Sequence, residues 1–443
     1  MSLNQPSIPI HQRNRQPSPV GDYNGHGVDE KYRTSRWYGG GGEITADDRA
    51  RSFTINATFA VESEARVVNG VFDPSNTFLA DYYREFRRCV IVIDQTVNDI
   101  YGANIRAYLN HHQLAHQVLS LRAWEEDKNP STVDAILDFF RQNKVSRHEP
   151  VLVIGGGVLA DTAGLAAALH HRRTPYVMIG TTLISAIDAG PSPRTCVNGD
   201  GFKNHMGAFH LPALTLIDRA FLRTVAPGHL RHGMAEVMKM AFVDDHALYQ
   251  LIAEHGPRLL ATQFATTEND ELLSQIADEV IYRALKSYMS HEGSNPWEVH
   301  QARPHAYGHT WSPGYELPAG MLHGHAVSSG MSLGAVIASE MGWLDAGQRD
   351  AIIGLCSRLG LTVYHPVMTD FDLIHRAQVK MVEKRGGTLW APLPKGTIGT
   401  CDYVEDVSAS LLRSALSGLR DIAEDLPRRG QGVEMHLADL GMR

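Results

Sequence analysis

The sequence predicts an α/β N-terminal domain with a parallel sheet, joined to a mostly α-helical C-terminal domain. Short apolar runs at 89–94, 151–154 and 176–179 are separated by helical patterns. That alternation builds a parallel sheet with helices on its faces. The second run leads at once into Gly155-Gly156-Gly157 and an alanine-rich stretch at 161–171, which reads as strand, tight turn and helix start. Beyond about residue 226 strand-like runs become few and long helical patterns take over.

Taken in order, residues 1–50 are rich in Pro, Gly, Asn, Arg and Ser, show no apolar period and read as a disordered tail. The sheet domain is expected over 51–225. Its first run ends in Asp94, and 131–143 is an amphipathic pattern opened by Ser131, a candidate N-cap. The Pro and Gly density at 190–207 predicts an ordered loop rather than regular structure. Helices are expected at 229–244, 271–289, 326–341 and 346–359, which makes 226–443 a helical domain. The cleft between the two domains is the expected place for an active site.

Composition narrows the function. A net charge of −8 over 443 residues argues against a general nucleic-acid binder, which shows a basic stripe. It leaves room for a phosphate-bearing ligand, because a few local cations dominate one cleft. The four cysteines are scattered with no CxxC pair, so a disulfide framework or cysteine zinc site is not expected. With no signal-peptide pattern at the start and no apolar run of membrane-spanning length, the expected location is the cytoplasm.

Three constellations carry chemistry. Gly155-Gly156-Gly157 opens a helix, and glycines there let backbone N–H groups approach a pyrophosphate. Asp94 is placed to accept ribose hydroxyls, although the spacing is not GxGxxG and a plain strand-to-helix turn would look the same. Glu236, His309 and His323 offer one carboxylate and two imidazoles, a donor set that suits Zn²⁺ or a similar divalent ion. With 23 histidines in the chain, position has to decide which ones matter. Lys239 falls three residues after Glu236 on the same helical face. Finally Arg172, Arg173, Arg194, Lys203, Asn204, Lys239 and Lys286 form a set that would bind a phosphate if they converge, and solvated surface charges if they do not.

At these residues the chain resembles the dehydroquinate synthase-like sugar-phosphate cyclases, over about 60–430. The matching segments are 155–161, Thr181-Thr182-Leu183, Asp188, Lys203-Asn204 with Gly207-Ala-Phe209, Gly233-Met-Ala-Glu236 with Lys239, Gly308-His309-Thr310 and Leu322-His323-Gly324. The resemblance implies an NAD⁺-binding α/β domain, a helical domain holding Zn²⁺ or Co²⁺, and a homodimer acting on a small sugar phosphate. It implies metal ligation by Glu236, His309 and His323. It places NAD⁺ contacts at Asp94, Glu125, Lys128, Gly155, Gly156, Gly157, Asp161, Thr181 and Thr182. It puts substrate or catalytic roles at Asp188, Lys203, Asn204, Lys239 and Lys286, with Arg172 reaching the phosphate, in some members from the partner subunit.

Two departures sharpen it. Dehydroquinate synthases resemble one another in Gly-His-Thr-Phe-Gly-His, and here Pro313 stands at the second histidine, in His309-Thr-Trp-Ser-Pro313. That run is similar to the sedoheptulose 7-phosphate cyclases, which make C7 cyclitols such as 2-epi-5-epi-valiolone, 2-epi-valiolone and desmethyl-4-deoxygadusol. Arg194 stands at the other departure, where the family usually has a lysine. It keeps the charge but is no proton shuttle near neutral pH. Thr195 and its loop favour a valiolone epimer, while Met178, Gly180, His305 and His325 are further candidates to shape the pocket. For His325 a partly exposed position at a helix start is the alternative. The expected reaction is transient oxidation, phosphate elimination, reduction and intramolecular aldol closure. Competing expectations are a desmethyl-4-deoxygadusol or 3-dehydroquinate synthase, a polyol dehydrogenase of related fold, and a non-catalytic sugar-phosphate-binding homologue.

Overall fold

The computed structural model describes residues 8, 9, 38–47, 49–199 and 202–440. Much of the expected N-terminal tail lies outside them. Within it, however, β2 (Tyr38–Asp47) pairs antiparallel with β3 (Ser52–Val61), and β1 (Ile8–Pro9) adds to its edge. The reading of 1–50 as unstructured therefore fails at 38–47. Its cause is visible in β3, where Phe53, Ile55, Ala57, Phe59 and Val61 alternate with Ser, Thr, Asn, Thr and Ala, the period of a strand.

Six strands form a sheet in the order β4 (Glu64–Val67), β11 (Leu214–Ile217), β8 (Tyr176–Gly180), β7 (Val151–Gly155), β5 (Arg88–Asp94), β6 (Ala115–Leu121), with every pairing parallel. Strand alternation divides the core. Cys89, Ile91 and Ile93 pack with α1 (Phe78–Tyr83) and α2 (Gln95–His111) on one face, through Tyr83, Ile105 and Tyr108. Val90 and Val92 pack with α3 (Pro130–Gln142) and α4 (Gly157–Leu169) on the other, through Ile136, Phe140 and Ala163. Helix α3 is capped by Asn129, whose side chain accepts from Thr132 N, and Pro130 occupies its first turn. Ser131 is thus inside the helix, because Asn-Pro sets both cap and φ.

The chain leaves β5 toward β6 on one side and returns to β7 on the other. The crevice between the carboxyl ends of β5 and β7 is therefore the topological switch point, where open α/β sheets bind ligands. Asp94 and Gly155 meet there; a Cβ on Gly155 would stand 3.3 Å from Asp94 Cβ.

The 190–207 segment is not a loop. After a short α5 (Leu183–Ile187), its larger part forms a hairpin of β9 (Arg194–Gly199) and β10 (Phe202–Phe209). From Pro227 onward helices dominate: α6 (Pro227–Val243), α7 (His246–Ala261), α8 (Glu271–Ser294), α9 (His323–Glu340), α10 (Ala346–Arg358), α11 (Phe371–Lys384) and α12 (Ala409–Glu424), with a small β12 (Ala391–Pro394) and β13 (Cys401–Val404) pair. Helix α6 is buried on all sides from Gly233 to Val243. A helix apolar all round belongs at the centre of its domain, and α6 carries Glu236 and Lys239 there.

Candidate active site

Helix α6 presents Glu236 and Lys239 on one face, as their spacing requires. His309 follows Gly308, whose φ of +77° and close fit against α9 exclude a side chain; a Cβ there would lie 2.7 Å from Val327 O. His323 is the first residue of α9. The three side chains converge. His309 Nε2 and His323 Nε2 are 3.2 Å apart, and Glu236 Oε1 is 3.8 and 3.3 Å from them. Tetrahedral ligands at zinc distances sit about 3.3 Å from one another.

The tautomers agree with metal ligation. His309 Nδ1 is 3.0 Å from Tyr307 O and His323 Nδ1 is 2.9 Å from Glu316 Oε2. Each Nδ1–H donates outward, which leaves each Nε2 lone pair aimed at the centre. Neither buried oxygen of Glu236 has a hydrogen-bond partner of ordinary geometry, although Lys239 Nζ lies 2.6 Å from Oε2. Burial alone would raise the Glu236 carboxyl; Lys239, His309 and His323 hold it well below the usual range. The residues present fit a divalent ion.

Glu316 escaped the sequence reading. It bridges His323 to Lys203, whose Nζ lies 2.6 Å from Oε1. Only its position seven residues before a metal-ligand candidate could have marked it, and that spacing has no regular meaning in a loop. Glu316→Gln is expected to weaken metal binding about 10–100-fold, read by chelator competition. Burial lowers and Glu316 with Glu236 raises the His323 pKa, to about 9, whereas burial holds His309 down at about 4. One proton thus competes with the ion between those values. Metal affinity is expected to fall about tenfold per pH unit on acidification across that window, and a pH-independent affinity would contradict this.

Lys239 Nζ also reaches Asp188 Oδ2 at 2.9 Å, and Asp188 Oδ1 lies 3.2 Å from Arg194 Nη2. Arg194 is further held by Tyr288 OH at 3.0 Å and Glu298 Oε1 at 3.3 Å. Opposite charges therefore alternate from Glu236 through Lys239, Asp188 and Arg194 to Glu298 across the cleft.

The glycine turn fits a dinucleotide phosphate. Gly156 caps α4 with no side chain, and Cβ atoms on Gly156 and Gly157 would stand 3.2 Å from Thr182 Cγ2 and 3.3 Å from Ala189 Cβ. Thr181 follows β8, and Thr182 caps α5. Asp94 uses Oδ1 to cap α2, accepting from Val97 N at 3.2 Å. Beside this crevice Lys128 Nζ contacts Asp161 Oδ2 and Asn204 Oδ1, each at 2.5 Å, and Glu125 Oε1 accepts from Asn198 at 3.0 Å. The expected cofactor set thus meets Lys203 and Asn204 at the β9–β10 hairpin.

Two expected residues stand apart. Lys286 is exposed on α8, while Ser287 and Tyr288 face inward. A helix turns about 100° per residue, so a lysine two positions from an inward Tyr288 points away. Arg172 is exposed in the turn after α4, with φ of +62°, and contacts no site residue of its own chain. His325, a candidate to shape the pocket with a partly exposed helix-start position as the alternative, is fully buried, with Nδ1 2.9 Å from Thr362 Oγ1, so the exposed alternative does not hold. Met178 and Gly180 lie buried in β8.

Known proteins are similar to this chain in sequence and fold. The family described as 3-dehydroquinate synthase N-terminal matches residues 118–232, and 3-dehydroquinate synthase C-terminal matches 233–381. The chain is 36% identical over 387 residues to demethyl-4-deoxygadusol synthase of Trichormus variabilis, covering 87% of this chain and 94% of that protein. It is 36% identical over 394 residues to 2-epi-5-epi-valiolone synthase of an Actinoplanes species, covering 86% and 96%. Among solved structures it is similar to ValA, the 2-epi-5-epi-valiolone synthase of Streptomyces hygroscopicus subsp. jinggangensis with NAD⁺ and Zn²⁺ bound. There the TM-score is 0.78 and the identity 36%, over 83% of this chain and 99% of that one.

Proposed function

Because the chain belongs to the 3-dehydroquinate synthase family, we propose that it converts sedoheptulose 7-phosphate to 2-epi-5-epi-valiolone or its epimer 2-epi-valiolone, with loss of phosphate. The observation that carries this reading is the Glu236/His309/His323 cluster joined through Lys239 to Asp188, in a chain that has Pro313 where the quinate-forming sequence pattern has a histidine. Pro313 neither gives nor takes a proton, which separates this site from the quinate-forming pattern.

When bound, NAD⁺ supplies reversible hydride transfer and a Zn²⁺ or Co²⁺ ion polarises the oxygen on the carbon concerned. The protein's own groups do the rest. Lys239, fixed between two carboxylates, donates to an oxygen that gains negative charge. Lys203, held by Glu316, orients a neighbouring hydroxyl. Asp188 and Arg194 close the pocket wall, with Asn204 anchored on Lys128. Phosphate release from sedoheptulose 7-phosphate with NAD⁺ and Zn²⁺ or Co²⁺ tests the reading. Release only from the heptulosonate substrate of dehydroquinate synthase would refute it. Arg194→Lys separates a retuned site from a non-catalytic one: turnover appearing only with lysine would mean that the natural chain binds without converting.

The active form is proposed as a cytoplasmic homodimer serving natural-product biosynthesis; no described helix is long and apolar enough to cross a membrane. Phe53, Ile55 and Phe59, 70%, 67% and 52% exposed, share one face of the hairpin with Ile44 and Ala46. An exposed apolar face of this kind marks an interaction surface. Arg173 stacks 3.9 Å over Phe59, which ties the Arg172 turn to that face and supports delivery of Arg172 to the partner's phosphate site. Serine at 53, 55 and 59 together is expected to shift the protein from dimer to monomer in light scattering.

A further inference from the structure

Among the described residues, a second group of metal-ligating side chains converges away from Glu236, and the proposed reaction does not use it. Asp244 follows the last residue of α6, His291 lies in the last turn of α8, and His305 sits in the short turn Pro304–Ala306 ahead of His309. One donor atom from each lies within 4.8 Å of the other two. Asp244 Oδ1 is 2.8 Å from His291 Nε2, and Asp244 Oδ2 accepts from Ser287 Oγ at 2.5 Å. Ser287 Oγ is in turn 3.0 Å from His305 Nε2.

His305 is only 8% exposed, and its Nε2 is the ring nitrogen on the Ser287 side of the group. Burial, with Lys239 nearby, also holds its pKa down to about 3, so the ring is a neutral donor at physiological pH. One aspartate and two imidazoles repeat the donor set of the first centre, which suits a divalent ion of intermediate softness. Asp244 and His291 keep 28% and 34% of their side chains exposed, which gives an ion a route in and a water a place on it. Reaching about 3.3 Å between ligands needs a contraction of about 1.5 Å at most.

We propose that Asp244, His291 and His305 form a second divalent-cation site that ties the end of α6 to α8 and to the turn leading into His309. Its role is structural. The ion would brace the two segments that carry Glu236 and His309, and Ser287 hydroxyl or water would complete its shell.

The test is a metal count on the full chain. Chelator-stripped protein is titrated with Co²⁺, followed by visible d–d absorption, desalted and assayed by mass spectrometry. Two equivalents per chain are expected, with one in His291→Ala, one in Asp244→Asn and one, of the other spectral type, in Glu236→Gln. Saturation of the natural protein at one equivalent, abolished by Glu236→Gln, would overturn the proposal and mark the group as a hydrogen-bonded Asp–Ser–His chain. That result would leave the cyclase reading intact. The natural protein's stoichiometry decides even if a variant fails to fold.

Discussion

Lys239→Met is expected to lower kcat for phosphate release by about 10²–10³-fold, the scale of losing one preorganised donor to a developing oxyanion. Methionine keeps the buried stem but removes the charge. The Lys239 side chain is 3% exposed and spans Asp188 Oδ2 at 2.9 Å and Glu236 Oε2 at 2.6 Å. Burial would lower the Lys239 pKa, but those two carboxylates raise it, so the ammonium is permanent at neutral pH. Without it two buried carboxylates lose their shared cation, at a cost of about 3–5 kcal/mol. One of them is then expected to take up a proton, and if that is Glu236 the metal weakens too. Steady-state kinetics with metal content measured on the same sample separates the two contributions. A kcat within about threefold of the natural protein would contradict an oxyanion role.

Glu236→Gln is expected to abolish turnover at stoichiometric metal and to weaken Zn²⁺ binding by well over about 100-fold, beyond the loss typical of outer-shell changes. Glutamine has nearly the same shape, so packing inside α6 survives while the only anionic ligand disappears. His323 is then left with Glu316 alone, and Lys239 with Asp188 alone. Chelator competition, with circular dichroism as a fold control, reads the change; unchanged affinity would remove Glu236 from the metal site.

How much of this was legible before folding follows from period and spacing. The strands at 89–94, 151–154 and 176–179, the glycine turn and the central helices show in single-chain patterns because buried strands are continuous apolar runs. The i,i+3 pair Glu236/Lys239 was readable on the same ground. Convergence of Glu236 with His309 and His323 was not, since nothing in the local pattern sets tertiary distance; there the family resemblance carried the reading. Glu316 stayed hidden because its partners, Lys203 and His323, come from two different elements. Lys286 lies on the outward face of α8 while Ser287 and Tyr288 face inward, because a motif position fixes a residue's number but not the helix face it takes. The β9–β10 hairpin was mistaken for a loop because Gly and Pro outweighed a short strand signal. Asp244, His291 and His305 come together from three segments, and no motif spacing announces them.

Arg194 also changes meaning once placed. Sequence alone marks it as a substitution where the family usually has lysine, whereas its contacts with Asp188, Tyr288 and Glu298 tie it to the charged chain that runs through Lys239.

The most direct test of the central claim is NMR of the reaction of the full chain with sedoheptulose 7-phosphate, NAD⁺ and Zn²⁺. The expected result is one inorganic phosphate per C7 cyclitol of valiolone configuration, with no net NADH. Accumulating NADH, or an unchanged sugar phosphate beside turnover of the heptulosonate, would contradict it.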